Sequence, residues 1–86
     1  MTNLLSMYFA YVIYSKSFKR FYKGHCQNLE KRLTEHNKGL TKSTKPFIPW
    51  ELVYFEAFST REEAIAREKY FKTAAGRRYL KIKIQE

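Results

Sequence analysis

The chain predicts an α+β fold, a small three-stranded sheet with an N-terminal hairpin, flanked by two to three helices. Three observations carry this expectation. An aromatic and β-branched run opens the chain without a helix breaker. Two later stretches place apolar residues at helical spacing behind recognisable N-caps, and the elements follow in the order ββαβα with room for one more helix. At 86 residues there is space for one domain, expected over residues 1–86 with a core from about 8 to 80. A composition that is 44% hydrophobic and 17% aromatic suffices for a packed core and excludes a disordered chain.

Residues 8–15, Tyr-Phe-Ala-Tyr-Val-Ile-Tyr-Ser, are apolar at both alternating sets of positions, so this strand belongs in the middle of a sheet. Residues 16–20 are a polar connector, and 21–24 are its hairpin partner. Asn28 is a suitable N-cap for a helix from Leu29 to about Asn37, stopped by Gly39, with Leu29, Leu33, His36 and Leu40 along one stripe. Residues 41–49 are a basic loop rich in Ser, Thr and Pro, and 51–58 form the third strand. Ser59 with Glu62, or Thr60 with Glu63, makes a capping box for a helix from Arg61 to about Ala74. Gly76 is expected to end it, and the basic tail beyond has room for a final helix.

Charge narrows the partners. With 17 Lys and Arg against 8 acids the net charge is +9, which favours a polyanion: nucleic acid first, an anionic membrane surface second. Residues 16–45 carry a net +7 and residues 69–85 hold six bases and no acid, while 51–68 between them carry a net −3. Lys23, Lys42, Lys45, Lys72, Arg77 and Arg78, from the two basic segments, are the candidate phosphate contacts. Every acid is Glu, so sites built on clustered aspartates, as in many two-metal nucleases, are excluded. The single Cys26 makes neither an internal disulfide nor a thiolate zinc site by itself, and a lone thiol fits a reducing compartment. The apolar stretch from Leu4 to Tyr14 is 11 residues long, short of the roughly 20 of a spanning helix, and lacks the flanks of a signal peptide. The expectation is a cytoplasmic protein with no membrane partner.

Several residues look out of place. Glu68 sits on the apolar stripe of its helix, among Ala64, Ile65, Phe71 and Ala75. An ionised carboxylate there costs several kcal/mol, in rough terms, unless a cation or metal compensates it, and Lys72 at i+4 is the simplest compensator. Arg32 and His36, four apart, share one face of the first helix beside the Leu29–Leu33 stripe. They offer a planar fork for phosphate oxygens and a donor or proton carrier, or else a surface Arg beside a hydrogen-bonded His. Tyr11 and Tyr22 lie on the two hairpin strands, where core packing is the default and each hydroxyl needs a partner.

In conjunction these residues resemble the GIY-YIG nuclease family. The resemblance runs from Tyr8 to Leu80 and is closest to its minimal stand-alone members. It extends to the N-terminal catalytic domain of the excision-repair incision subunit and to homing endonucleases. Phe9-Ala10-Tyr11 stands where the family has its first tripeptide, and Tyr22-Lys23-Gly24 where it has its second. Leu29-Glu30-Lys31-Arg32-Leu33-Thr34-Glu35-His36 resembles the family's first helix, and Ala64-Ile65-Ala66-Arg67-Glu68-Lys69 the helix bearing its metal-binding Glu. Neither tripeptide is literal, since Phe9-Ala10 replaces Gly-Ile and Lys23 replaces the central Ile.

The resemblance implies a metal-assisted phosphodiester hydrolase acting on DNA, in repair, recombination or restriction, with repair or mobile-element proteins as further partners. Glu68 is then the ligand of one divalent ion, Mg²⁺ or Mn²⁺. Tyr11 serves as general base toward the attacking water or orients it, and Tyr22 positions water or phosphate. Arg32 neutralises charge growing on the phosphate, and His36 positions phosphate or water or relays a proton. Gly24 permits close packing at the strand end. The competing expectations are a non-catalytic nucleic-acid-binding or repair-complex module with the same fold, and a small basic RNA-binding protein.

Overall fold

Tyr8–Ser15 forms strand β1, the middle strand of a three-stranded sheet of order β2-β1-β3, in a computed structural model that describes residues 7–85. Leu4 to Ser6, the start of the apolar stretch, and both ends of the expected domain lie outside the described residues. Strand β2, Arg20–Cys26, pairs antiparallel with β1 from Phe9↔Cys26 to Ser15↔Arg20. It is longer at both ends than the expected residues 21–24. Strand β3, Glu51–Phe58, pairs antiparallel on the other side, from Tyr8↔Phe58 to Tyr14↔Glu51, with a bulge opposite Val12/Ile13. Both strand partners of β1 are therefore antiparallel.

The central position of β1 follows from its composition. Ala10, Tyr11, Val12, Ile13 and Ser15 are all buried, which a strand achieves only when both of its faces are covered. Alternation sends Ala10 and Val12 to one face and Tyr11 and Ile13 to the other. Two cores result. Ala10 and Val12 pack with Phe71 and Leu80, so helices α2 (Arg61–Phe71) and α3 (Ala74–Ile84) cover the first face. Tyr11 and Ile13 pack with Trp50, and with the half-buried Tyr22, Leu29 and Leu33, so helix α1 (Leu29–Asn37) and the segment after it cover the second.

Local signals explain where each helix begins. Asn28 accepts the backbone N–H of Lys31 through its side chain at 3.0 Å. Of the two possible capping boxes before α2, Thr60 with Glu63 forms, each side chain accepting the other residue's backbone N–H. Gly39, at φ 75°, closes α1, so Leu40 leaves the helical stripe and is exposed. Residues 41–49 contain one turn of 3₁₀ helix, Lys45–Phe47. Asn37 clamps this segment to α1, donating to the Trp50 carbonyl at 2.9 Å and accepting the Trp50 N–H at 2.6 Å.

The rotation of α2 about its axis is set from both sides. Ala64 and Phe71, seven apart, are buried against the sheet. On the flank toward β3, Arg67 Nε donates to Glu56 Oε1 at 2.7 Å, and Tyr54 and Tyr79 donate to Glu56 Oε2 at 2.5 and 2.7 Å. Glu68, one residue on, is thereby turned to the opposite flank, toward β2.

The expected end of α2 is wrong in a way that identifies a packing constraint. The helix stops at Phe71, Thr73 caps a new helix by accepting the Gly76 N–H at 3.0 Å, and Gly76 is buried in the first turn of α3. Ala75 therefore lies on α3, exposed, and not on the α2 stripe. Gly76 is there because the start of α3 rests on the end of α2: a Cβ would stand 1.8 Å from the Tyr70 carbonyl oxygen and 2.8 Å from Phe71 Cα. Glycine signals both helix stops and close backbone approach, and here the second applies. No helix of the described residues is long and apolar enough to cross a membrane.

Gly76→Ala is expected to cost about 3 kcal/mol or more, since backbone and not a flexible side chain must yield. Urea unfolding checks this, with the exposed neighbour Ala75→Ser expected within about 0.5 kcal/mol of wild type.

Candidate active site

On the α1 side of the sheet one hydroxyl organises the candidate residues. Tyr11 is paired directly with Gly24, and the hydroxyl end of its ring lies over the β2 backbone there. A Cβ at Gly24 would stand 2.5 Å from the Tyr11 oxygen and 2.7 Å from Cζ, so only glycine leaves room for the phenol. The Tyr11 hydroxyl is 2.9 Å from His36 Nε2 and accepts Arg32 Nε–H at 3.3 Å. The i, i+4 spacing on α1 brings Arg32 and His36 to the same oxygen. His36 Nδ1 continues to Thr44 Oγ at 2.7 Å, and Thr44 Oγ donates to the Thr41 carbonyl at 3.3 Å.

These contacts determine the protons. Thr44 gives its only hydrogen to Thr41 and so accepts from His36 Nδ1–H. His36 Nε2 is then an acceptor, and the Tyr11 hydroxyl donates to it. In this arrangement every hydrogen of the chain has an acceptor. The other histidine tautomer leaves the Tyr11 hydroxyl hydrogen with none.

Burial makes the chain neutral. Tyr11 is 2% exposed, and its phenol is pushed up to about 12 because loss of solvent outweighs the hydrogen bond and charge of Arg32. His36 is fully buried and pushed down to about 4, by loss of solvent first and by the Arg32 charge second. Burial also opposes the charge of Arg32, yet its bonds to Tyr11 and to Glu35, 3.1 Å away, more than offset this and strengthen its hold on the proton. Arg32 is about a third exposed and carries the only permanent charge of the group to the surface. Tyr22 faces the same side, its ring edge-on to His36 with centroids 5.2 Å apart. Among the described residues its hydroxyl has no hydrogen-bond partner.

Glu68 belongs to a second group on the opposite face. His25 follows Gly24 on β2 and therefore points to the α2 side, where its Nδ1 lies 2.6 Å from Glu68 Oε1. The Lys72 ammonium donates to Oε2 at 2.7 Å, as the i+4 spacing anticipates. Burial alone would raise the Glu68 carboxyl, but Lys72 and His25 together hold it below the usual carboxylate range. Lys23, two residues before His25 on the same face, is half-buried and its ammonium is pushed down, by loss of solvent and by the charges of Arg77 and Lys72. Arg77 in turn donates to the Lys72 carbonyl at 2.8 Å.

The structure thus sorts the expected residues. Tyr11, Tyr22, Arg32 and His36 come together on the α1 side, and Glu68 does not join them by any hydrogen bond among the described residues. On the other face Lys72 is paired with Glu68, Lys23 and Arg77 lie close to Lys72, and Arg78 is exposed next to Arg77 in sequence. Lys42 and Lys45 are exposed on the segment after α1, in the layer that holds Thr44 and Trp50. The two groups meet at the step Gly24–His25, and because β2 is an edge strand no further strand separates them. His25 escapes sequence reasoning. Alternation from Tyr22 puts it on the Lys23 face, but only the packing of α2 reveals that Glu68 is opposite.

Among the described residues no three of His, Cys, Asp and Glu converge. A cation at Glu68 finds a hard carboxylate oxygen with an imidazole beside it, and must take its other ligands from phosphate and water. The position already suits a cation, since Lys72, itself more than half exposed, sets an ammonium on Oε2.

The family model of the GIY-YIG catalytic domain matches residues 7–81 of this chain. A UPF0213 protein of Staphylococcus saprophyticus is 35% identical over 79 residues, covering 91% of this chain and 95% of that protein. A UPF0213 protein of Bacillus licheniformis is 42% identical over 69 residues, covering 76% and 71%. The solution NMR structure of the UPF0213 protein BH0048 from Bacillus halodurans is similar at a TM-score of 0.51 and 26% identity, over 86% of this chain and 81% of that one.

The buried histidine predicts an acid-sensitive fold. Unfolded, His36 takes a proton near pH 6.5, and folded it refuses one until about pH 4. Between those values the unfolded chain binds more protons, so stability is full above about pH 6.5 and falls as pH drops toward 4, by about 3 kcal/mol. Urea midpoints measured across this window are expected to decline, whereas His36→Gln, less stable at pH 7, is expected to give a flatter profile.

Proposed function

This chain belongs to the GIY-YIG catalytic-domain family, and from that membership we propose that it is a metal-dependent endonuclease hydrolysing a phosphodiester bond of DNA. The fold is of the nuclease type. The observation that carries the proposal is a half-buried carboxylate, Glu68, held by Lys72 and by His25, which is one step along β2 from the glycine that seats Tyr11 of the Tyr11–Arg32–His36 group. Residues 8–80 are read as the catalytic unit, acting on DNA in repair, recombination or restriction.

The roles follow from exposure and charge. Glu68 is the residue to hold Mg²⁺ or Mn²⁺, with His25 fixing the orientation of its carboxylate. A divalent ion there supplies Lewis-acid stabilisation of charge on the scissile phosphate and the leaving oxygen. Lys72 exchanges Oε2 for a phosphate oxygen, joining Lys23 and Arg77, whose crowded positive charges call for an anion. Arg32 reaches the phosphate from the other side of the β2 edge and neutralises charge that grows in the transition state. Lys42, Lys45 and Arg78 extend the basic surface for the flanking backbone.

Burial redistributes the tyrosines. Tyr11 is sealed from solvent as a neutral phenol, which suits a positioning residue: it accepts the Arg32 Nε–H, aims the guanidinium outward and passes its own hydrogen to His36. The open hydroxyl is that of Tyr22, which orients the attacking water. His36 keeps Tyr11 in the donating orientation and is itself held by Thr44.

The test is cleavage of plasmid and branched DNA with Mg²⁺ or Mn²⁺. Wild type is expected to cut, Glu68→Gln to lose at least about 100-fold and Arg32→Ala a similar factor, as for removal of one transition-state charge contact. Tyr22→Phe and Tyr11→Phe are each expected to lose about 10-fold or more in kcat. Cleavage that survives Glu68→Gln comes from elsewhere. Salt-dependent binding without cleavage of any DNA assigns the chain to the non-catalytic alternative.

A further inference from the structure

Beside the Lys23–Lys72–Arg77 group, an open cavity of about 270 Å³ lies between the start of β2 and the outer half of α3. Its floor is Val12, Leu80 and Ile84. Phe21 forms one wall, its ring packed on Tyr14 with centroids 4.6 Å apart and still 38% exposed. The remaining walls are Lys23, Arg77 and Lys81, and because the lining is almost wholly apolar it is their aliphatic stems that face the cavity. No acid lines it, and α3 carries Arg77, Arg78, Lys81 and Lys83 without a single Glu.

Such a cavity rejects a cation, and its ring of charged heads is wasted on a plain hydrocarbon. It fits a ligand with a flat apolar body and negative charge at its edge. A nucleotide has this form: the base stacks on Phe21 while its phosphates meet Lys23, Arg77 and Lys81. The cavity is shared with the proposed active site through Lys23 and Arg77, so a strand whose phosphate lies at Glu68 runs directly to it. At this size, just below the range of about 300–1,000 Å³ usual for small-molecule sites, it holds one ring system and is short for an acyl chain. A base inside a duplex is stacked on both sides and cannot enter. Resting on the nuclease reading above, we propose that the cavity receives an unpaired nucleotide of the strand that passes Glu68. The preferred substrate is then DNA with a single-stranded segment adjoining the cleaved bond.

The experiment is equilibrium binding in EDTA, by fluorescence anisotropy, to a duplex with a single-stranded tail and to a blunt duplex of equal nucleotide count. The tailed DNA is expected to bind about 10-fold tighter at the same salt, within the range that one base stacked on an aromatic ring contributes. Phe21→Ala is expected to reduce that preference below about 3-fold, and Phe21→Trp to retain it. Lys81→Gln, at an exposed position where folding is expected to be retained, is expected to weaken tailed DNA more than blunt DNA. A 2-aminopurine in the tail is expected to change fluorescence on binding wild type and not Phe21→Ala. Equal affinity for the two DNAs, or an unchanged preference in Phe21→Ala, overturns the proposal. So does displacement of the tail by phosphatidylglycerol vesicles, which assigns the cavity to a lipid headgroup. Because no divalent ion is present, failure of cleavage leaves a positive binding result standing, and failure of the binding preference leaves cleavage standing.

Discussion

The placement of one phenol, Tyr11, against the backbone of β2 is the constraint on which the rest of the structure depends. Its hydroxyl is the point at which β1, β2, α1 and the segment leading to Trp50 meet. A buried hydroxyl left unpaired costs about 1–3 kcal/mol, so each partner is required and each is held in turn. Arg32 and His36 must be four apart on α1, Thr44 must be brought to His36, and Asn37 must pin Trp50 so that Thr44 stays there. Position 24 must be glycine, because the phenol occupies the volume of its side chain. A fully satisfied buried polar chain of this kind rigidifies what surrounds it, and this one ends at Arg32, whose guanidinium is partly exposed.

The sheet divides labour between its faces. The α1 side carries neutral, sealed hydrogen bonding whose outlet is one guanidinium, while the α2 side carries ion pairs around two carboxylates, Glu56 and Glu68. The alternation of a strand assigns neighbouring residues to opposite faces, so Gly24 serves one group and His25 the other. Because β2 is an edge strand, no further strand among the described residues stands between the two groups at its open side. The unpaired edge is also a liability for association, and the charges of Arg20 and Lys23 counter it. α2 is locked at the required rotation by Glu56, which binds Arg67 on one flank and so directs Glu68 to the other.

Much of this was legible in the amino-acid order. The two-sided apolar character of residues 8–15 places them centrally, Asn28 announces its helix and Ser59 or Thr60 the next, and Glu68 stands out as a charge on an apolar stripe. Where reading went astray, a local signal had two meanings. Gly76 resembles a helix stop, yet it is an approach point between α2 and α3, a fact that depends on the path of the Tyr70 backbone. Leu40 continues a stripe by spacing and leaves it because Gly39 turns the chain.

By itself the sequence determined the order of the strands and of the first two helices, the cap of α1 and the charge asymmetry, which are carried by periodicity and short spacings, while the family followed from the resemblance of its motifs. Only the tertiary structure decided which groups share a site. It paired His25 with Glu68, removed Tyr11 from solvent, left the hydroxyl of Tyr22 without a hydrogen bond among the described residues, and set Glu68 against the face of β2 opposite to Tyr22. The reason is physical: strand register and helix rotation follow from contacts between residues far apart in the chain, and burial, which sets the protonation of Tyr11 and His36, is a property of those contacts alone.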